Sequence, residues 1–224
     1  MPRANPPVPC YPAAMLTYVL ITVAGLGVVL AAERRQVQSV QWVAKPVASL
    51  GFVAAALWAG AFDDAYGRWL FAGLAASFAG DVLLVPKKTT LAFLLGMVAF
   101  FLAHLCYVAA FLSRGVGTPW GFLAALPLLA MMAVLLRWLW PRLAGRYRVA
   151  VPVYMAAIGA MVTCALAATL PSGRPVGLWL GAVLFFLSDL FVVRHRFVAP
   201  AFLNRALGLP LYYAGQLLLA FTLL

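Results

Sequence analysis

Residues 91–112 read LAFLLGMVAFFLAHLCYVAAFL, a long apolar run without a single Lys, Arg, Asp or Glu. A transmembrane helix needs about 20 consecutive, mostly apolar residues, so this run is long enough to cross a bilayer. Similar runs lie on both sides of it. We therefore predict eight transmembrane helices, at about residues 14–32, 46–62, 69–85, 91–112, 119–139, 149–170, 176–193 and 206–223.

The composition of the whole chain agrees with this reading. Of 224 residues, 66% are hydrophobic and 9% are charged, and the mean hydropathy is +1.02. A soluble domain is about half apolar and about a quarter charged, so the composition excludes a soluble globular domain, a disordered chain and a collagen-like chain. The predicted fold is all-α, a polytopic membrane bundle that forms one domain over residues 1–224.

The basic residues are distributed as topology signals. The chain has 16 Lys and Arg against 5 Asp and Glu, and because the basic residues lie between apolar runs we predict no nucleic-acid partner. One alternating set of loops carries Arg3, Arg68, Arg114 and Arg174. The other set carries Arg34, Arg35, Lys45, Lys87, Lys88, Arg137, Arg142, Arg146, Arg148, Arg194, Arg196 and Arg205. By the positive-inside rule the second set is cytoplasmic and both termini lie outside; the composition fits a bacterial plasma membrane.

Two acidic residues, Asp81 and Asp189, lie inside apolar runs. A carboxylate near the bilayer centre costs at least about 2.5–3.5 kcal/mol, so both are expected to face the protein interior or a water-filled cavity. In each case a Gly lies eight residues before the Asp, a Phe three before, and a small residue directly before. This similarity predicts a parallel repeat of four helices plus four, with the two Asp facing one another. Chance similarity between apolar helices is the alternative.

Other polar side chains within or beside the spans are candidates for ligand contact: Lys45, His104, Tyr107, Tyr154, Tyr213 and Gln216. Gly96, Phe100, His104 and Tyr107 share one helical face. From the predicted boundaries, His104 lies roughly 20 Å from the cytoplasmic end of its span and Asp81 about 6 Å from the end of its own. We therefore expect His104 to be less central than the two Asp.

The ordered set of these residues resembles the YhhN-like family of integral membrane lysoplasmalogenases. The similar segments cover most of spans 2 to 8. They are Lys45-Pro46, Gly73 through Ser77 to Gly80-Asp81-Val82-Leu83-Leu84, Gly96 through Phe100 to His104-Leu105-Cys106-Tyr107, Gly181 through Phe185 to Ser188-Asp189, and Tyr213 with Gln216. The chain departs from the family at Phe191-Val192-Val193 and at Lys87-Lys88-Thr89-Thr90, which leaves both Asp motifs intact.

The resemblance implies hydrolysis of the vinyl ether bond of lysoplasmalogens, giving a fatty aldehyde and glycerophospho-ethanolamine or -choline. The reaction needs an acid that protonates carbon, negative charge beside an oxocarbenium ion, and a base that orients water. Asp81 and Asp189 could supply these roles as one protonated and one ionised carboxyl group, although the sequence does not say which is which. Lys45 could bind the phosphate, and His104, Tyr107, Tyr154, Tyr213 and Gln216 could orient the glycerol or the water.

The expected partners are thus a lysophospholipid and membrane lipids, with the oligomeric state open. A small transporter or channel with paired intramembrane Asp is the alternative function. An intramembrane aspartyl protease is disfavoured because the Gly-x-Gly-Asp signature is absent. Two Asp and one His could bind a divalent cation, but no second His lies within the predicted spans, so we predict neither a metal nor another cofactor.

Overall fold

Every regular element in the described part of the chain is helical. The computed structural model describes residues 11–86, 89–115, 123, 125–169 and 176–224. Its α-helices are α1 (Tyr11–Arg34), α2 (Gln38–Trp58), α3 (Ala65–Leu83), α4 (Thr90–Ser113), α5 (Ala125–Leu139), α6 (Tyr147–Thr169), α7 (Gly177–Phe197) and α8 (Phe202–Phe221). A 3-10 turn, Trp140–Arg142, follows α5. The predicted all-α fold is confirmed.

Each predicted span overlaps one of these helices, although several boundaries differ. Residues 119–122, 124 and 170 of the predicted spans lie outside the described residues. The helix α2 begins at Gln38, so Pro46 lies inside it instead of opening it, and Pro152 lies inside α6. A proline inside a helix removes one backbone hydrogen bond. The extension of α2 makes Lys45 a helical residue that is only 4% exposed.

Six helical segments of the described chain are long and apolar enough to cross a membrane. They are most of α1, all of α2, α4, α6 and α7, and the segment Ala125–Arg142 that contains α5. The helices α3 and α8 are outside this set because polar residues reduce their hydropathy. Their polar residues include Ser77 and Asp81 in α3 and Asn204 and Gln216 in α8, all of which are buried.

Glycines permit the closest helix contacts, which join α3 to α4 and α7 to α8. A Cβ at Gly80 would lie 2.7 Å from the Phe100 ring. A Cβ at Gly215 would lie 2.9 Å from the backbone oxygen of Gly181. Small residues let helix backbones approach closely in membrane proteins. Because these two helix pairs pack so closely, Asp81 and Asp189 are held firmly against neighbouring helices.

One end of the bundle collects most of the basic residues. Here α1, α3, α5 and α7 end and α2, α4, α6 and α8 begin. We call it the basic end, after its described cations Arg34, Arg35, Arg142, Arg146, Arg148, Arg194, Arg196 and Arg205. In the interior, α2 packs on α8 and α4 packs on α6, while α5 packs chiefly on α6.

We expect Gly215→Ala to lower the free energy of unfolding by about 1–3 kcal/mol, the usual cost of overpacking. The added methyl group would meet backbone atoms of α7, which cannot rotate away. Gly27→Ala is the matched control, because nothing lies within 4 Å of a Cβ at that position in α1. Unfolding in detergent, followed by circular dichroism, measures both variants. Equal stability of the two would contradict the close contact of α7 and α8.

Candidate functional site

An apolar cavity of about 260 Å³ lies inside the bundle and carries a few polar groups on its wall. Its apolar lining comes mainly from α4, α5, α6 and α7. Both Asp81 and Asp189 line it, so the two carboxyl groups predicted from the sequence reach the same cavity. Its polar wall lies toward the basic end, where Lys45, Arg194 and Arg205 also line it.

Asp81 is 2% exposed and is surrounded by hydrogen-bond donors. The Lys45 ammonium lies 3.3 Å from its Oδ1 and 3.3 Å from its backbone oxygen. Ser49 and Tyr212 each donate a hydrogen bond of 2.7 Å to its Oδ2. A cation and two hydroxyl donors stabilise a carboxylate. Both carboxyl oxygens of Asp81 therefore have donors.

The spacing of polar residues along α2 explains why Lys45 and Ser49 both reach Asp81. Gln41, Lys45 and Ser49 are four residues apart, so they lie on one helical face, and all three are buried. Ser49 has a second polar neighbour, since its Oγ lies 3.4 Å from the hydroxyl of Tyr213. Ser49 and Tyr212 were not among the site residues predicted from the sequence. The signal for each was its spacing of four residues from a candidate, Lys45 or Gln216.

Asp189 has a different set of partners. Its Oδ2 accepts a hydrogen bond of 3.1 Å from the hydroxyl of Tyr154, and Nε2 of His104 lies 3.4 Å from the same oxygen. The other ring nitrogen of His104, Nδ1, lies 2.6 Å from the backbone oxygen of Phe100. A carbonyl oxygen only accepts, so Nδ1 carries a proton. Nδ1 is therefore engaged within α4, and Nε2 is the ring nitrogen that faces Asp189.

His104 is thus closer to Asp189 than the predicted helix boundaries indicated. The helix α7 continues to Phe197, beyond the predicted end at 193, so Asp189 lies about two turns inside the helix instead of one. This depth lets Asp189 meet His104 from α4. His104 is fully buried and is not among the residues that line the cavity. Asp189 therefore stands between His104 and the cavity.

Aromatic rings connect the surroundings of the two Asp. The ring of Phe185 stacks on His104 at 4.5 Å between centroids and contacts the edge of Tyr212 at 5.6 Å. Phe100 contacts both Phe185 and Tyr212, at 6.0 Å and 5.7 Å. Phe185 therefore touches one partner of each carboxyl group, and its position fixes the two clusters relative to one another.

Besides His104, three of the predicted ligand-contact residues lie behind the cavity wall. Tyr107 donates a hydrogen bond of 2.5 Å to Oε1 of Gln216, and Gln216 donates one of 3.3 Å to Ser77. Neither these two residues nor Tyr213 line the cavity. Tyr154 does line it, and so does Lys45, whose ammonium group is bound to Asp81.

No group of three or more His, Cys, Asp or Glu side chains in the described ranges is arranged to hold a metal ion. The carboxyl groups instead have Lys, His, Ser and Tyr partners. These side chains can transfer protons and stabilise charge at the cavity.

Apolar helices that enclose buried carboxyl groups beside an apolar cavity define an integral membrane protein with an interior polar site. The model of the YhhN family matches residues 40–223. The chain belongs to the YhhN family.

The named relatives of this chain support the same family assignment. The chain is 38% identical over 154 residues to a lysoplasmalogenase of Mycobacterium bovis, covering 66% of this chain and 56% of the relative. It is 32% identical over 158 residues to the bovine lysoplasmalogenase TMEM86A, covering 68% and 64%. It is 31% identical over 191 residues to the uncharacterized membrane protein YhhN of Escherichia coli, covering 82% and 86%. The match spans little more than half of the mycobacterial protein. No solved structure matches this chain.

We expect Lys45→Met to reduce the free energy of unfolding by about 3–5 kcal/mol, because it leaves the buried Asp81 carboxylate without its cation. Asp81→Asn leaves the Lys45 ammonium unpaired in the same way. The double variant Lys45→Met/Asp81→Asn should lose less stability than the sum of the two single losses. Denaturant unfolding in detergent measures the cycle, with the exposed Arg35→Met as control. Additive losses would contradict a direct Lys45–Asp81 pair.

Proposed function

We propose that this protein is a membrane-embedded hydrolase that cleaves the vinyl ether bond of lysoplasmalogens. The products are a fatty aldehyde and glycerophospho-ethanolamine or -choline. The observation that carries the proposal is the pair of buried carboxyl groups, Asp81 and Asp189, which line one apolar cavity with different partners. Relatives named lysoplasmalogenase at 30–38% identity support it.

Asp189 is the acid in this proposal. Nδ1 of His104 holds its proton toward Phe100, so Nε2 faces Asp189 with a lone pair or with a second proton. The proposal places one proton between the two groups, either on Nε2 or on the carboxyl oxygen that faces it. Because Asp189 also lines the cavity, it can deliver that proton to the vinyl carbon of a bound lipid. His104 and Tyr154 are positioning residues that hold Asp189 and its proton.

Asp81 is the ionised partner. Its carboxylate has three donors and lines the cavity, so it provides negative charge beside the oxocarbenium ion that carbon protonation creates. Water adds to this cation and transfers a proton to Asp189, which was deprotonated in the first step. The resulting hemiacetal collapses to the aldehyde and the glycerol hydroxyl group. Asp189 regains its proton, so the net reaction consumes only water.

The cavity suits a single-chain lipid. Its apolar wall is formed by side chains such as Met97, Met132, Leu135 and Ile158. These come from α4, α5 and α6, three helices whose length and composition suit lipid surroundings. An alkenyl chain that occupies this apolar region gains the usual stabilisation of burial. The vinyl ether at its end would then lie beside the polar wall.

We further propose that α3 and α8 also cross the membrane, which gives eight spans with the basic end in the cytoplasm of a bacterial cell and both termini outside. Matching contacts support a parallel repeat of four helices plus four. A Cβ at Gly96 would lie 3.5 Å from the backbone oxygen of Gly80, and one at Gly208 would lie 3.5 Å from that of Ser188. Gly80 and Ser188 each directly precede one of the two Asp.

Aldehyde release from purified protein in detergent tests the proposal. We expect release from lysoplasmalogen and none from a matched saturated ether lysolipid. Asp81→Asn and Asp189→Asn should each reduce the rate by about 10²–10⁴-fold, the usual contribution of an acid or base. The exposed Asp63→Asn is the matched control. No release by a folded wild type would refute the activity, and release that survives both substitutions would refute the mechanism.

His104→Gln separates the role of His104 from direct substrate contact. Because His104 lies behind Asp189, we expect kcat to fall by about tenfold or more while KM stays near the wild-type value. Steady-state kinetics on lysoplasmalogen measure the two constants separately. A rise in KM with unchanged kcat would show that His104 binds substrate and would contradict its placement behind the acid.

A further inference from the structure

Arg205 is a cation of the cavity wall that the reaction described above does not use. It lies in the first turn of α8 and lines the cavity. Its Nε is buried, and no acceptor among the described residues binds it. A buried guanidinium nitrogen without an acceptor is costly. The position therefore calls for an anionic ligand.

The other cations of the cavity wall in the described chain are already engaged. Lys45 pairs with Asp81 at 3.3 Å. Arg194 donates a hydrogen bond to Oδ1 of Asn204. The amide of Asn204 donates in turn to the backbone oxygen of Ala199 at 2.7 Å. Arg205 thus retains donors that its neighbours do not use.

The charges around Arg205 favour the binding of an anion. Glu33 and Asp81 are the carboxylates whose charges act on it. Asp81 is balanced by Lys45, and Arg34, Arg194 and Arg196 lie at the same end of the bundle. An anion that enters from the basic end therefore meets an excess of positive charge.

We propose that Arg205 binds the phosphate of the lysophospholipid head group. The identity of the lipid rests on the proposed function. The planar guanidinium offers paired donors that match two phosphate oxygens. Arg205 precedes Tyr212 by two turns of α8, about 10 Å along the helix axis, and Tyr212 binds Asp81. The glycerol backbone, which separates the phosphate from the ether oxygen, would bridge the remaining gap between the two side chains.

This placement also orients the lipid. Arg205 lies about one turn from the basic end of its helix, Asp189 about two turns, and Ile158 about three turns. Phosphate, vinyl ether and alkyl chain would follow one another in the same order. Lys45, predicted from the sequence to bind phosphate, lines the same cavity and pairs with Asp81. We infer that the phosphate contact selects lipids with a charged head group over neutral alkenylglycerols.

Ligand binding without turnover tests the assignment. The probes are a saturated 1-O-alkyl lysophospholipid, the matching 1-O-alkylglycerol and inorganic phosphate, each titrated against purified protein by thermal unfolding in detergent. Arg205→Gln should weaken binding of the lysophospholipid by about tenfold or more and leave binding of the alkylglycerol unchanged. Arg205→Lys keeps the charge but loses the paired donors of the guanidinium. Its affinity for the lysophospholipid should lie between those of the wild type and Arg205→Gln. Arg146→Gln, at an exposed position of the basic end, should match the wild type.

Three outcomes would overturn the assignment. Equal binding of the lysophospholipid by wild type and Arg205→Gln would show that Arg205 does not bind the lipid. Equal weakening of lysophospholipid and alkylglycerol would assign Arg205 a structural role. Phosphate alone, bound through Arg205 as tightly as the lysolipid, would make the ligand a free anion. Because the probe lacks a vinyl ether, these results do not depend on whether the protein releases aldehyde.

Discussion

Two carboxyl groups inside an apolar bundle impose the constraint on which the arrangement of the helices depends. Neither carboxyl group can remain in the interior without donors, so each recruits side chains from helices other than its own. Asp81 on α3 draws Lys45 and Ser49 from α2 and Tyr212 from α8. Asp189 on α7 draws His104 from α4 and Tyr154 from α6. The contacts of α2 with α8 and of α4 with α6 follow.

The two carboxyl groups differ although their helices look alike. In the repeat that we propose, Phe100 and Tyr212 are equivalent, since each follows a glycine by four residues, and His104 and Gln216 are equivalent at eight. In the first pair it is Tyr212 that brings a hydroxyl group to Asp81, and in the second it is His104 that brings an ionisable ring to Asp189. Divergence at two pairs of positions thus gives the two carboxyl groups different hydrogen-bonding partners.

The sequence predicted the helices well because apolar runs of about 20 residues have few alternatives. It also identified both Asp, whose cost in an apolar run is evident without coordinates. It could not assign partners, because contacts between helices depend on depth and rotation. The depth of Asp189 was underestimated because α7 extends beyond its apolar run into Arg194-His195-Arg196. The pairing of Lys45 with Asp81 was missed because α2 begins before its apolar run does.

The hydrogen bond from Nδ1 of His104 to the backbone oxygen of Phe100 stays within one helix. The imidazole is therefore fixed to α4 and moves with it as a rigid unit, while its partner Asp189 moves with α7. The gap of 3.4 Å between Nε2 and the carboxylate lies just beyond the usual range for such a bond. A slide of α4 against α7 by a few tenths of an ångström would close or widen that gap without changing the tautomer. In the mechanism that we propose, the spacing of these two helices would thus control proton transfer between the two groups.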